Sequence, residues 1–318
     1  SAGDAFTATH LTLASGASTT MTAAQHNGFS GTVTAAGTEQ ITLTDAGTVT
    51  GESVIETYVL AGTGNVFTLG AAGQSVNTGS GGSNTVDVAA LTATGTFTTQ
   101  TSDTIKISNG GNIAGAVKSG GSAGDAFTAT HLTLASGASA SMTRLQNNGF
   151  SGTVSAAGTN TLTMTTAGAV TALSGIEEYV LAAGAQTITL ADAAQNVTAN
   201  STGGSGLITI DTGSLTSVTG TFDDNSGNDT IKLLLSHTTG VDISTVTMTD
   251  VDNVGLDTDA KGTMTIAQHN VINSAAGSAN KVTLTAAGSL NAISTIESYQ
   301  LNAGTNSITL SSAGHTVV

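Results

Sequence analysis

The sequence predicts an all-β chain folded as a β-solenoid, a parallel β-helix or β-roll of short strands. Three observations predict it. Long blocks recur at a spacing of about 120 residues. Apolar residues alternate with Thr or Ser in short bursts separated by Gly, Ser, Asn or Ala. Only 8% of the 318 residues are charged and 3% aromatic, with no Pro and no Cys. An ordinary soluble domain is about a quarter charged. Such a chain suits a thin core built many times over. Disordered chains carry more charge and usually Pro, and have no reason to alternate.

The repeat comes first. Residues 1–18 return letter for letter at 122–139. Met21-Thr22 and Gln25-His26-Asn27 answer to Met142-Thr143 and Gln146-Asn147-Asn148, then to Met264-Thr265 and Gln268-His269-Asn270. Ile55-Glu56-Thr57-Tyr58 answers to Ile176-Glu177-Glu178-Tyr179 and to Ile296-Glu297-Ser298-Tyr299. The units read as 1–121, 122–240 and a partial 241–318, in one continuous solenoid. The chain begins at Ser1 with no Met and stops inside the third copy, as a piece of a longer array is expected to do. Tandem β-sandwiches are the alternative, because the strand spacing suits them too. Repeats that follow one another without a Pro-rich or charged linker favour the solenoid.

Within each unit, period-two alternation predicts half-buried strands. Leu11, Leu13, Ile41, Leu43, Ile105, Ile107, Ile231 and Leu233 are the expected inward set. The three Ile-Glu-x-Tyr strands are expected in one column, each copy holding a whole number of coils. The MTxxQxN stretch breaks the strand pattern and reads as one helical turn or a wide corner. There Gln25, Gln146 and Gln268 would satisfy backbone groups. Glu56, Glu177 and Glu297 would lie on an outer face or satisfy corner backbone.

The net charge is −15, from 21 acids against 6 bases. No basic patch exists to neutralise phosphates, so no nucleic-acid partner is expected. An anionic membrane surface is excluded for the same reason. No apolar run approaches the ~20 residues of a membrane helix.

Two sets of residues carry a resemblance. One is the apolar-Glu-x-Tyr-apolar-Leu strand, as in residues 55–60. The other is a worn Gly-Gly-x-Gly-x-Asp nonapeptide. Gly120, Gly121, Asp125 and Phe127 keep part of it, as do Gly227, Asp229 and Ile231. The chain resembles the repetitive surface proteins that bacteria export by type I secretion, the S-layer proteins and RTX-type adhesins. The resemblance implies an extracellular structural protein at the bacterial cell surface. It would be a layer, filament or adhesin that associates with copies of itself or with further repeats of the same chain. It leaves room for a cell-surface polysaccharide as partner. It also implies calcium, held by Asp125 or Asp229. Independently, Asp250 and Asp252 sit two apart, which would place both on one strand face, where a cation relieves their repulsion. Asp257 and Asp259 extend that cluster. Calcium takes six to eight oxygens, so no one of these motifs makes a whole site. The competing reading is an Asp that closes a turn on its own backbone.

Nothing assembles into a catalytic site, so no enzyme is expected. His10 and His131 occupy the same place in identical blocks, and His26 and His269 correspond to Asn147. Ser and Thr are too common for one to signal a nucleophile. Gly203-Gly204-Ser205-Gly206 is a turn signal without a following helix or Lys. Two binding functions remain as alternatives for a region of a large adhesin. Thr-x-Thr at Thr20, Thr32 and Thr247 could bind ice if it recurred on every coil. Carbohydrate binding is disfavoured by the lack of aromatic rings.

Overall fold

The computed structural model describes residues 7–199, 206–225 and 229–318. Gly203, Gly204 and Ser205 of the turn signal, and Ser226, Gly227 and Asn228 of the worn nonapeptide, lie outside them. The protein is all-β, with about 5% helix, and its parallel strands stack into a β-solenoid of about 15 turns. It divides into two compact units, Ser1–Thr165 and Thr166–Val318.

In the first unit the chain alternates between two six-stranded parallel sheets. One contains Ser18–Met21, Gln40–Leu43, Thr57–Leu60, Ser75–Asn77, Thr96–Thr98 and Val117–Lys118. The other contains Thr48–Thr50, Val66–Thr68, Thr85–Asp87, Thr104–Ile107, His131–Leu134 and Val154–Ser155. Gln40 faces Thr57, and Thr104 faces His131, so a turn takes from 17 to 27 residues. Two strands per turn account for the spacing of apolar bursts along the sequence. Parallel strands cannot be joined by a tight hairpin. Here the return path is simply the opposite sheet.

The second unit is built the same way, and each has a third side in places, in the first through Thr92, Asn112 and Ser141. One parallel sheet runs through Ala169–Thr171, Gln186–Thr189, Leu207–Asp211, Thr230–Leu235, Val251–Leu256 and Ile272–Ala275. A second ladder carries Glu178–Leu181, Asn196–Ala199, Thr221–Asp223 and Thr247–Thr249. A third carries Val241–Asp242, Lys261–Met264, Lys281–Leu284, Ser298–Gln300 and Thr316–Val317. The Tyr179 and Tyr299 strands therefore stand in different ladders, and the single column expected for them is not formed. The cause is the third side: Ser217 pairs Asp242 in parallel and opens a new ladder there. A copy does not contain a whole number of turns.

Alternation sorts the side chains as period two requires. Ile41, Leu43, Tyr58, Leu60, Phe67, Val86, Ile105, Ile107, Ile231 and Leu233 are all buried, none more than 1% exposed. Tyr58 and Phe67 meet across the core with ring centroids 4.5 Å apart, so the interior is one layer of interdigitated side chains. Leu13 is buried as expected, whereas Leu11 is only half-buried. Its strand, Leu11–Thr12, pairs with Val33–Thr34 in a ladder of two strands, so one side stays uncovered. At some corners backbone passes directly over backbone. A Cβ on Gly95 would lie 1.8 Å from the carbonyl oxygen of Gln74, and one on Gly220 would lie 1.9 Å from that of Gln195. Only glycine fits there.

Three short helices interrupt the strands: α1 (Ala23–Asn27), α2 (Arg144–Gly149) and α3 (Ile266–His269). Each starts at a Thr whose hydroxyl accepts the N3 amide, while the N3 Gln side chain accepts the Thr amide in return. That is a capping box. No helix among the described residues is long and apolar enough to cross a membrane.

Replacing Ile231 by Asp buries an unpaired carboxylate between Ile208 and Val251. A loss of more than ~3 kcal/mol follows from the cavity and the charge together. Limited proteolysis of the I231D chain should then cut between residues 206 and 256 first. Parent-like melting and resistance would mean the face assignment is wrong.

Candidate functional site

A coil corner breaks the sheet ladder, so the amides there need other acceptors. Side chains from the next coil supply them. Glu39 accepts from the Gly16 amide at 3.1 Å, and Glu56 accepts from the Glu39 amide at 2.9 Å. Glu297 accepts from Asn280 at 2.8 Å, so Glu56 and Glu297 take the corner-backbone role. A second column runs Asn65, Asn84, Asp103. Asn84 Oδ1 accepts from the Asn65 amide at 2.9 Å, and Asp103 Oδ1 accepts from the Asn84 amide at 2.8 Å. Asp103 Oδ2 accepts from the Gln100 amide at 2.7 Å and from the Thr78 hydroxyl at 2.6 Å. Asp103 is fully buried, and both of its oxygens are used.

Asp229 begins the same way and ends differently. Its Oδ1 accepts from the Gly206 amide at 2.7 Å. Its Oδ2 is buried with no partner among the described residues. Beside it, Asp224 is 1% exposed, and its Oδ2 accepts from the Asp229 amide at 3.1 Å. Asp224 Oδ1 is also buried, with no partner among the described residues. Burial first, then the charges of Asp229, Asp252 and Asp250, push the Asp224 carboxyl above its ordinary value, against the pull of the Asp229 amide. A raised carboxyl binds its proton more tightly in the folded chain than in the unfolded one. The stability this gives is present below the unfolded value of 3.8 and is lost as pH rises. At neutral pH this corner works against folding unless a positive charge balances it.

The structure thus gathers three of the expected acids, Asp229, Asp250 and Asp252, around Asp224, a residue that motif reasoning passed over. The one-face arrangement of Asp250 and Asp252 is not what brings them there. Asp250 precedes the strand at φ 55°. Ile231 faces Val251 and Lys232 faces Asn253, which leaves Asp252 as the extra residue of a β-bulge. Its Oδ2 accepts from the Ile231 amide at 2.8 Å. Asp257 and Asp259 serve other turns: Asp259 Oδ1 accepts from Ser278 and Ala279, each at 3.0 Å. Asp125, in the first unit, closes a turn on the Ser122 amide at 2.7 Å. Among the described residues no three acid or His side chains are close enough to enclose a metal ion. The oxygen chemistry of the Asp224–Asp229 pair suits a hard cation, with other oxygens needed to complete a shell.

The helical corners hold a second constellation. Gln146 and Gln268 reach the preceding coil, donating to the carbonyls of Ile113 and Ile243 at 2.7 Å each. Tyr58, Tyr179 and Tyr299 are fully buried. Their hydroxyls accept from the amides of Glu52, Leu173 and Ile293 at 2.8, 2.6 and 2.8 Å. His26 and His269 add a contact from their Nε2 to the Tyr hydroxyl, at 3.1 and 3.2 Å. Beside α1 lies an open pocket of about 370 Å³ lined by Asn27, Phe29, Thr48, Thr50 and Glu52. Its counterpart beside α3 is lined by His269, Asn270, Ile272, Asn291, Ala292 and Ile293. His26 also lines the first pocket, so the His and Asn are kept between copies while the rest of the lining changes. Gln74 and Gln195 were also missed by motif reasoning. Each ties two carbonyls of one coil to two amides of its own turn, and His315 takes over the carbonyl contact in the third copy.

Comparison with protein-family models, curated proteins and solved structures gives no match.

Asp103→Asn and Asp224→Asn should move stability in opposite directions. An amide nitrogen cannot accept from Gln100 or Thr78, so D103N should cost about 1–3 kcal/mol. D224N removes a buried charge and should raise the melting temperature at pH 7 in chelator. Thermal unfolding of the two variants checks both, and equal losses would refute the distinction between the two corners.

Proposed function

We propose that this chain is a non-catalytic structural component of a bacterial cell-surface layer, filament or adhesin. It works outside the cell and associates with copies of itself or with further repeats through like coils. The observation that carries this reading is where the bonding lies. Ladders, core contacts and corner columns all run from one coil to the next, so each coil is the natural partner of another. The Ile-Glu-x-Tyr strands that carry the resemblance to S-layer and RTX-type proteins are central to that bonding. The net charge of −15 sets neighbouring molecules against each other, so divalent cations that bridge them would favour assembly.

Ice binding is less well supported than scaffolding. Thr22 is spent as the N-cap of α1. The outward column that starts at Thr48 continues through Val66, Thr85 and Thr104, and its neighbour from Thr50 through Thr68 is interrupted by the Asp87–Lys106 ion pair at 2.7 Å.

In this reading calcium binds at Asp224 and Asp229, with Asp250 and Asp252 contributing charge. Two buried oxygens without a partner among the described residues, and the acids gathered there, support that placement. A ligand held only by the folded chain stabilises it by mass action, about 2.7 kcal/mol at a hundred times its dissociation constant. Calcium should raise the melting temperature of the parent, chelator should reverse this, and D224N should respond less. Identical melting with calcium and with chelator would remove calcium from the proposal. Assembly is tested separately, by sedimentation and electron microscopy over a range of protein concentrations. Concentration-dependent lattices, filaments or rods are expected, and a monomer under every condition would overturn the scaffold reading.

A further inference from the structure

The first and third helical corners share one tyrosine geometry. His26 is 3% exposed and His269 is 1% exposed; the residue in their place at α2 is Asn147, with no exposed surface. In the first copy His26 Nε2 lies 3.1 Å from Tyr58 Oη, and Nδ1 lies 3.4 Å from Asn27 Oδ1. In the third, His269 Nε2 lies 3.2 Å from Tyr299 Oη, and Nδ1 lies 3.3 Å from Asn270 Oδ1. The ring pairs are edge-on in both, at 5.7 and 5.6 Å between centroids.

Counting protons fixes the tautomer. A tyrosine hydroxyl has one hydrogen and two lone pairs. One lone pair takes the amide of Glu52 or Ile293. The hydrogen then goes to Nε2, which must be bare. Nδ1 carries the imidazole proton and donates it to the Asn side chain. Every group is satisfied by neutral histidine. A second proton on Nε2 sets N–H against O–H. The hydroxyl can turn to accept it, but its own hydrogen then loses the Nε2 acceptor while the tyrosine stays fully buried beside a cation. Both consequences oppose the closed corner.

We propose that His26 and His269 make the first and third helical corners acid-releasable latches. Protonation makes the closed corner costly, and when the corner opens it releases the amide that the hydroxyl held. The other charged groups at these corners do not cancel the effect. Around α1 they are Glu52, whose charge partly offsets the desolvation of His26, and Asp45, which accepts from the Ala23 amide at 2.7 Å. Around α3 they are Glu297 and His315, both beside Tyr299; Ile293 stands where Glu52 does. Burial depresses both histidines below their ordinary 6.5. For a base so depressed, the stabilisation is full above the unfolded value and is lost as pH falls below it.

Hydrogen exchange on the full chain tests this, read as protection factors so that the intrinsic pH dependence of exchange drops out. Between pH 7.5 and 5, peptides holding the Glu52 and Ile293 amides should lose protection, by up to about tenfold per pH unit below 6.5. His26→Asn with His269→Asn should flatten the response. The single variants His26→Asn and His269→Asn should each flatten it at their own corner alone, which keeps the test decisive should the double variant fold poorly. Unchanged protection of both amides between pH 7.5 and 5 in the parent would overturn the proposal, as would a pH response that survives the double variant.

Discussion

The corner amide is the constraint on which the rest of this solenoid depends. Along a strand, every backbone group finds a partner one coil away at the ordinary sheet spacing of about 4.8 Å. At a corner the chain turns out of the ladder, and its N–H groups would be buried dry. Each such group left unmade costs about 1–3 kcal/mol, and the loss would recur at every turn. Glu39, Glu56, Asn84 and Asp103 prevent it by reaching one coil back. Their side chains extend the ladder around the bend. This also sets register. A slip of two residues would keep Ile and Leu on the inner face, but it would pull every corner acceptor away from its amide.

Charge placement follows from the same constraint. A sequence with so few acids spends many of them at corners, where a carboxylate accepts from backbone without needing a cation. Asp103 shows the finished state, with both oxygens filled by protein donors. Asp229 keeps the ladder contact through its first oxygen, and its second has no partner among the described residues.

The strand pattern was legible because it depends on local alternation alone. Ile41 and Leu43, or Ile231 and Leu233, announce their face whatever the rest of the chain does. The capping boxes were legible too, since Thr22 and Gln25 meet within one turn of helix. What could not be read was whatever depends on the length of a turn. The turns vary between 17 and 27 residues, so spacing in the sequence does not say which residue lies one coil away. Asp224 pairs with Asp229 and nears Asp252 only once the bulge at Asp252 is known. The same uncertainty defeated the single tyrosine column, because the added third side at Ser217 and Asp242 shifts later strands to another ladder. The missed roles of Gln74 and Gln195 had one available signal, their recurrence 121 residues apart.

A quasi-one-dimensional fold allows such variation at small risk to the whole. Each coil answers to its two neighbours, so a change at one corner is felt locally. The tyrosine latch is kept in three copies because the amide it holds is backbone and would be costly to abandon. The partner beyond the hydroxyl is free to change, since the tyrosine has already satisfied the coil. Histidine stands at this position in two copies and asparagine in the other. Of the two, only histidine can take up a proton near neutral pH. Repetition thus separates the groups that hold the stack together from those that tune it, and the tuning groups are the ones in which otherwise matching copies disagree.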